Sequence, residues 1–349
     1  MAQVKRKEGK YLMTDLEQED IRRVAELPYD WKRLNNKTVM ISGGTGFIGT
    51  FISDVIQYRN EKYGENIKVV SISRRSVGKN KNVVYMNADI TEPIQYNEKV
   101  DVILHLASNT HPKQYRVDPV GTITTNIIGC DNLLKLMVEK HAERFLLASS
   151  VEIYGQGTEV PMREDFCGYI DCNLARSGYN EAKRTCEALC ESYAAQYGVD
   201  CVIARLARTI GADRKHDTKA MAQFMEKAVA GEDIILKSKG AQRYSYSYIA
   251  DTVSGIFKIL LDGKTGEAYN VADDDDGYTL GQYAECIAKL AGRDVVYRIE
   301  EDSAASKATY ALLDTQKIKS LGWEPLYSVR DALERTYRIY MNSPANKSQ

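Results

Sequence analysis

Two residues four positions apart can do proton chemistry in this 349-residue chain: Tyr179 and Lys183, in the run Tyr-Asn-Glu-Ala-Lys. On a helix that spacing places both side chains on one face. There an ammonium stabilises a phenolate and draws its acidity towards neutrality. About thirty residues earlier stand Ser149 and Ser150, followed by Glu152 in Ser-Ser-Val-Glu-Ile-Tyr-Gly. A serine at a strand end can bind the oxygen of an alcohol or ketone while Tyr179 removes or returns its proton and a hydride moves. Glu152 can act as acid or base at a neighbouring atom, or can be a loop carboxylate in an ion pair. Ser150, Glu152, Tyr179 and Lys183 are the candidate catalytic set.

A hydride needs a carrier, and the chain has a turn suited to one. Gly43-Gly44-Thr45-Gly46-Phe47-Ile48-Gly49 follows the apolar run TVMIS and opens a helical run. The glycines allow a tight turn, close approach of backbone to a pyrophosphate, and close helix–strand packing, and the helix N-terminus offers free N–H groups. The GxxGxxG spacing is that of short-chain dehydrogenases. After the second strand come Ser73, Arg74 and Arg75, where an acidic residue would hold a ribose 2′-hydroxyl. A hydroxyl and two arginines suit a 2′-phosphate, which favours NADP with NAD as the alternative, unless both arginines are ordinary surface charges. Asp89 can accept from an adenine amino group or cap a turn. Leu106, Ala107 and Ser108 follow the fourth strand, at the edge where such sheets bind ligands. His105, inside that strand, reads as a core histidine.

The elements that position these groups follow from hydrophobic periodicity. Strands are expected at 38–42, 67–73, 83–86, 102–106, 145–148 and 201–206, with helices at 47–59, 123–140 and 179–197. Continuously apolar strands alternating with helices mean a parallel sheet buried on both faces. The expected fold is therefore α/β, a Rossmann-type doubly wound parallel sheet with a smaller C-terminal α/β substrate lobe. Residues 1–36 read as a polar extension with an amphipathic helix at 16–27. Residues 37–210 form the dinucleotide-binding lobe, with a returning segment near 244–272. Residues 211–349 make mainly the second lobe, with strands at 234–236 and 244–249 and a helix at 251–261.

Composition excludes other classes. The chain has 47 Lys+Arg against 48 Asp+Glu, a net charge of -1, which argues against a nucleic-acid binder. No apolar run suits a membrane helix, and the N-terminus has no signal-peptide pattern. The seven cysteines are scattered without a CxxC, so no metal site is expected and the thiols read as reduced and cytoplasmic. The acidic run at 273–276 lacks the ligand spacing of a calcium loop and reads as solvated. The 23 tyrosines are in surplus; Tyr244, Tyr246 and Tyr248 alternate as if along one strand face near a ligand.

From about 37 to 340 the chain resembles the extended short-chain dehydrogenase/reductases that act on nucleotide sugars, and among them the UDP-glucuronate decarboxylases. The resemblance rests on DITEP at 89–93, HLAS at 105–108, TNIIG at 125–129, ASSVEIYG at 148–155, EDF at 164–166, RSGYNEAKR at 176–184 and LGWEP at 321–325. It implies a sugar-nucleotide substrate, oxidation to a 4-keto intermediate, a homodimer built through two helices, and Ser150, Glu152, Tyr179 and Lys183 as the site. It also adds Ile90 and Asn126 to the cofactor residues.

The departures from that family cluster at positions expected to face ligand. Val151 stands where the decarboxylases carry a polar residue. Arg208 and Ala212 replace the Asn and Pro of an R-x-x-N-x-x-G-P stretch. Tyr244 occupies the place of an arginine, with Arg243 one position earlier, and Ser73 replaces the acidic residue. Arg208, Arg243 and Tyr244 are therefore candidate substrate residues, the arginines being charge-matched to a diphosphate. The 4,6-dehydratases would show Asp before the Glu, and Val151 cannot protonate a leaving hydroxyl. The same machinery on a different sugar, or a different outcome after C4 oxidation, is expected. Two alternatives stand beside it: an NADPH-dependent ketoreductase, and a catalytically silent regulator that keeps the cofactor fold.

Overall fold

The computed structural model describes residues 13–74, 83–108, 115, 117–213, 219–273, 277–299 and 309–343. Arg75 and residues 274–276 lie outside them.

Parallel strands dominate. Among the described residues seven strands form one sheet: β1 (Thr38–Ser42), β2 (Lys68–Ser73), β3 (Val83–Asn87), β4 (Val102–His105), β5 (Arg144–Ser150), β6 (Cys201–Leu206) and β11 (Ala268–Val271). Their order is β11-β6-β5-β4-β1-β2-β3 and every pairing is parallel. The strand order reverses at the β1–β4 boundary, the place where doubly wound sheets open a crevice for ligand.

Alternation along the strands fills two cores. Val39, Ile41 and Leu146 face one side, where they pack with Ile52 and Val55 of helix α2 (Phe47–Tyr63). Met40, Ile103, Phe145 and Leu147 face the other, against Leu133 and Met137 of the next helix, α3 (Pro119–Lys140), and Cys186 and Cys190 of the following one, α4 (Ser177–Tyr197). Successive strand side chains point to opposite faces, so both must be apolar when helices cover both.

Within the stretch expected as a polar extension, helix α1 (Asp15–Ala25) packs onto the first core through Ile21, Val24 and Ala25. Its buried Asp20 accepts hydrogen bonds from Tyr248 and Tyr327, each at 2.6 Å, and from Arg335 Nε at 3.0 Å. This carboxylate joins the N-terminal helix to the C-terminal one, α8 (Val329–Asn342).

A third core holds the smaller lobe. It is built from Met221, Phe224 and Met225 of α5 (Ala220–Val229), Ile234 and Leu236 of β8 (Ile234–Leu236), and Tyr283 and Ile287 of α7 (Leu280–Leu290). The single strand expected at 244–249 is two: β9 (Arg243–Tyr244) and β10 (Tyr246–Tyr248), followed directly by α6 (Ile249–Asp262). Strand β10 pairs with β7 (Arg208–Ile210), while β9 pairs with β12 (Tyr310–Ala311). The tyrosines separate accordingly. Tyr246 packs on Tyr283 in the small lobe, and Tyr248 lies in the main core against Tyr327, so neither lines a ligand face. Asp273, expected to be solvated, is buried, and its N–H donates to Tyr246 O.

Candidate functional site

The glycine turn after β1 is packed so tightly that side chains are excluded. Gly43 has φ +73°, and a Cβ there would lie 2.8 Å from Ala107 N. A Cβ on Gly49 would lie 2.6 Å from both Gly43 O and Gly44 Cα, which lets α2 rest directly on the turn. Gly46 is the N-cap of α2 and supplies no side-chain cap. The result is an uncapped helix N-terminus beside the end of β4, the arrangement that receives a pyrophosphate. The residues present thus fit a dinucleotide. Phe47 and Ile48 form the first helical turn and pack partly into the first core, with Thr45 in the loop before them.

The end of β4 lies against that turn. Leu106 N donates to Ser42 O at 3.1 Å and Ala107 N to Ser42 Oγ at 3.3 Å. Ser42 Oγ also bonds His105 Nδ1 at 2.7 Å. His105 is fully buried, and desolvation pushes its pKa down to about 4, so it is the neutral core histidine expected. Ser108 donates to Asn126 Oδ1 at 2.8 Å, and Asn126 donates to Thr122 O at 2.7 Å. The buried Asn126 amide thereby holds Ser108 at the strand end.

Asp89 caps its own turn: Oδ1 accepts from Thr91 N at 3.0 Å and Thr91 Oγ1 at 2.9 Å. These bonds, the backbone one first, hold its pKa below the usual carboxylate range, with a smaller pull from Arg74. Ile90 is in the second core, where its side chain abuts Gly129, so only its backbone is available to a ligand. Ser73 ends β2, and the side chain of Arg74 is exposed beyond it.

The candidate catalytic residues come from β5 and α4, as their order in the chain requires. Ser150 is the last residue of β5 and caps a one-turn 3-10 helix (Val151–Tyr154), accepting from Glu152 N at 3.2 Å. That leaves the hydroxyl proton to donate elsewhere. Tyr179 and Lys183 sit on the first turns of α4, 5% and 2% exposed. Lys183 Nζ donates to Ala148 O at 2.8 Å. One of its three protons is used there, and two remain.

Several neighbours were not picked out by sequence reasoning. Asn180 donates to Glu152 O at 2.7 Å and Glu152 Oε2 at 3.3 Å, fastening α4 to the turn that carries Glu152. Its position between Tyr179 and Lys183 was the available signal. Arg176 Nη2 lies 3.8 Å from Glu152 Oε2. Tyr115 stacks on Tyr179 with ring centroids 4.9 Å apart and planes 18° apart. Burial drives the Tyr115 pKa up; Tyr179 and Glu152 add to this, and Arg176 and Arg208 oppose it. Arg176 thus meets Glu152, as does Arg208, and Tyr115 meets Tyr179.

Beneath them, Arg205 makes a two-pronged pair with Glu187, at 3.1 Å from Nε and 2.7 Å from Nη2, and donates to Tyr154 Oη at 3.0 Å. Glu187 also accepts from Ser149, so the network braces the strand end that carries Ser150. An arginine within an apolar strand was its only trace in the sequence.

Arg208 and Arg243 do not stand together. Arg243, on β9, donates from Nε to Gly277 O at 3.0 Å. Arg208, on β7, donates from Nη2 to Glu152 Oε1 at 3.1 Å, and its guanidinium lies 3.9 Å from the centre of the Tyr244 ring. The Tyr244 hydroxyl bonds Thr309 Oγ1 at 2.7 Å.

A seven-stranded parallel sheet with a glycine turn at its switch point and a Ser/Tyr/Lys set at its carboxyl edge defines a dinucleotide-dependent class, and comparison assigns it. The chain belongs to the NAD dependent epimerase/dehydratase family, whose model matches residues 39–272. UDP-glucuronic acid decarboxylase 3 of Arabidopsis thaliana is 31% identical over 325 residues, 89% of this chain and 92% of that protein. UDP-glucuronic acid decarboxylase 1 of Danio rerio is 30% identical over 88% of this chain and 73% of that protein. The UDP-glucose 4-epimerase of Thermus thermophilus, solved with NAD, shares the fold, with TM-score 0.75 and 21% identity over 87% of this chain and 99% of that one.

Proposed function

We propose that this chain modifies a nucleotide-linked sugar by oxidising a hydroxyl, at C4, to a ketone and then letting the ketone labilise its neighbour. The observation that carries this is the joining of the helix turn that holds Tyr179 and Lys183 to Ser150 at the end of β5 and Glu152 in the turn after it, through Lys183–Ala148 and Asn180–Glu152. Bound NAD(P) would supply the hydride acceptor and donor, held at the glycine turn. Tyr179 takes the hydroxyl proton, and the Lys183 ammonium stabilises the phenolate. Ser150 donates to the sugar oxygen. Glu152 handles the second proton, on the carbon or oxygen beside the ketone. Decarboxylation, epimerisation or elimination then follows. The relatives named UDP-glucuronic acid decarboxylase favour the first of these, and Val151 disfavours elimination.

Ser73 and Arg74 at the end of β2 support NADP over NAD, and favour a second reading as an NADPH-consuming ketoreductase. Titration with NADPH and NADH tests the preference; loss of it in Arg74→Ala supports the assignment. Arg243 is retained as a diphosphate ligand. Exposed apolar residues on α3, among them Val120 at 70% exposure, support a homodimer through α3 and α4. No described helix is long and apolar enough to cross a membrane, and a cytoplasmic location suits the free thiols.

The deciding experiment is mass spectrometry of products from UDP-, dTDP-, GDP- and CDP-sugars, with and without a C6 carboxylate. Carbon dioxide release from UDP-glucuronate establishes the decarboxylase. Stoichiometric NADPH consumption with a 4-keto sugar nucleotide establishes the reductase. No turnover of any sugar nucleotide rejects both.

A further inference from the structure

We infer that Arg208 is a positioning residue: it holds the Glu152 carboxylate in place for the second proton transfer, and acts on the sugar only through it. This deepens the proposed function and rests on that reading.

The guanidinium is spent on Glu152. Among the described residues its one hydrogen bond runs from Nη2 to Glu152 Oε1, at 3.1 Å. Nη1 is shut away from solvent without a partner, so that edge is closed to a ligand. The two side chains of this pair are 29% and 25% exposed. Arg176, the other cation at this carboxylate, stands 3.8 Å from Oε2 and is 72% exposed, so water and salt screen it. Arg208 therefore supplies most of the charged hold.

That contact removes a freedom which nothing else fully removes. Glu152 lies in a single 3-10 turn after Ser150, and Asn180 fixes the turn by its bond to the Glu152 main-chain oxygen at 2.7 Å. A fixed backbone does not orient a glutamate side chain, which keeps several rotatable bonds. The Asn180 bond to Oε2 is long, 3.3 Å. With Arg208 on Oε1, both oxygens meet donors and the carboxylate is set.

Arg208 is itself anchored. Its backbone pairs with Tyr246 across β7 and β10. Its guanidinium lies 3.9 Å from the centre of the Tyr244 ring, whose hydroxyl bonds Thr309 Oγ1 at 2.7 Å. A planar cation seated on a tethered ring keeps one orientation. Positions 208, 244 and 309, far apart in the chain, thus set Glu152 two residues from Ser150 before substrate arrives.

The test separates the two halves of the reaction, using the protein with its nicotinamide cofactor and UDP-glucuronate, UDP-glucose and dTDP-glucose as probes. Oxidation at C4 sends the hydroxyl proton to Tyr179 and the hydride to the nicotinamide, and absorbance of the reduced form rises. It falls when the hydride returns, after Glu152 has moved its proton. Arg208→Met keeps an apolar stem on the Tyr244 ring and removes the donors. It should slow the second phase by about 10²-fold, so that reduced nicotinamide accumulates, with the first phase and KM near wild type. Glu152→Gln should show the same accumulation, and Arg208→Met added to it should slow the second phase no further. Arg208→Lys, which keeps a charged donor, should restore part of the rate. If Arg208→Met does not fold, Arg208→Lys alone and combined with Glu152→Gln carries the same comparison. Losses that multiply in the double variant, or a raised KM with the second phase unchanged, give Arg208 its own contact with the sugar nucleotide and overturn the inference. Unchanged kinetics in the arginine variants overturn it too, while the nucleotide-sugar reading stands. Absence of both nicotinamide reduction and turnover with every probe rejects the underlying reading as well.

Discussion

Lys183 Nζ donates to the main-chain oxygen of Ala148 at 2.8 Å, tying the helix that carries Tyr179 to the strand that ends at Ser150. The ammonium thus does two things: it fixes the two halves of the proposed catalytic set to each other, and it places a positive charge one helical turn from the phenol.

Tyr179→Phe keeps the ring stacked on Tyr115 and removes only the acid–base group. It should lower turnover by about 10²–10⁴-fold while thermal stability and cofactor binding stay near wild type. Steady-state kinetics and a cofactor titration check this; unchanged turnover rules out the proton-transfer role. Lys183→Met should lose turnover comparably, since it keeps the buried chain but removes the charge.

Gly49→Ala places a methyl where 2.6 Å separates the Cβ from two backbone atoms of the turn. Backbone cannot yield as a side-chain tip can, so α2 must shift away from the turn. The expected cost is about 1–3 kcal/mol of stability, with weakened cofactor binding. Urea unfolding and nicotinamide fluorescence measure the two effects, and a variant matching wild type in both would contradict the close-packing account.

Glu187→Ala strands the Arg205 guanidinium beneath the turn that carries Ser150 and Glu152. Breaking a buried pair by removing one partner costs about 3–5 kcal/mol. Denaturant midpoints should fall accordingly. Activity should fall even below the unfolding transition, because Ser149, next to Ser150, loses its acceptor.

Asp251 gives a pH dependence. It is fully buried in the first turn of α6, accepts from Leu326 N, and lies near Asp20 and Arg23. Desolvation raises its pKa from 3.8 to about 7. A carboxyl whose folded pKa exceeds its unfolded value stabilises the fold fully below about pH 4, and that contribution is lost as pH rises through about 7. Asp251→Asn should therefore lose less stability than wild type between pH 5 and 8, narrowing the gap in melting temperature as pH increases. Parallel melting curves across that range would show that the group does not titrate there.

The sequence by itself determined the parts that depend on local patterning. The strands 38–42 and 201–206, the glycine turn and the Tyr179–Lys183 helix face follow from periods of 2 and 3.6 residues and from steric demands at single positions. The elements stand where those periods place them, and the Ser150–Glu152 turn follows a strand as required. What patterning cannot carry is which distant groups share one space. That Tyr246 meets Tyr283 in one core and Tyr248 meets Tyr327 in another is set by what packs around β10. That Asp20 receives Tyr248, Tyr327 and Arg335 turns a polar N-terminal stretch into part of the main lobe. That Arg208 parts from Arg243 and meets Glu152 and Tyr244 depends on β7 and β9 pairing with different strands. Tertiary structure decided these because long-range ion pairs and ring contacts leave no trace in local spacing; they exist only where the packed sheet and lobe bring their backbones together.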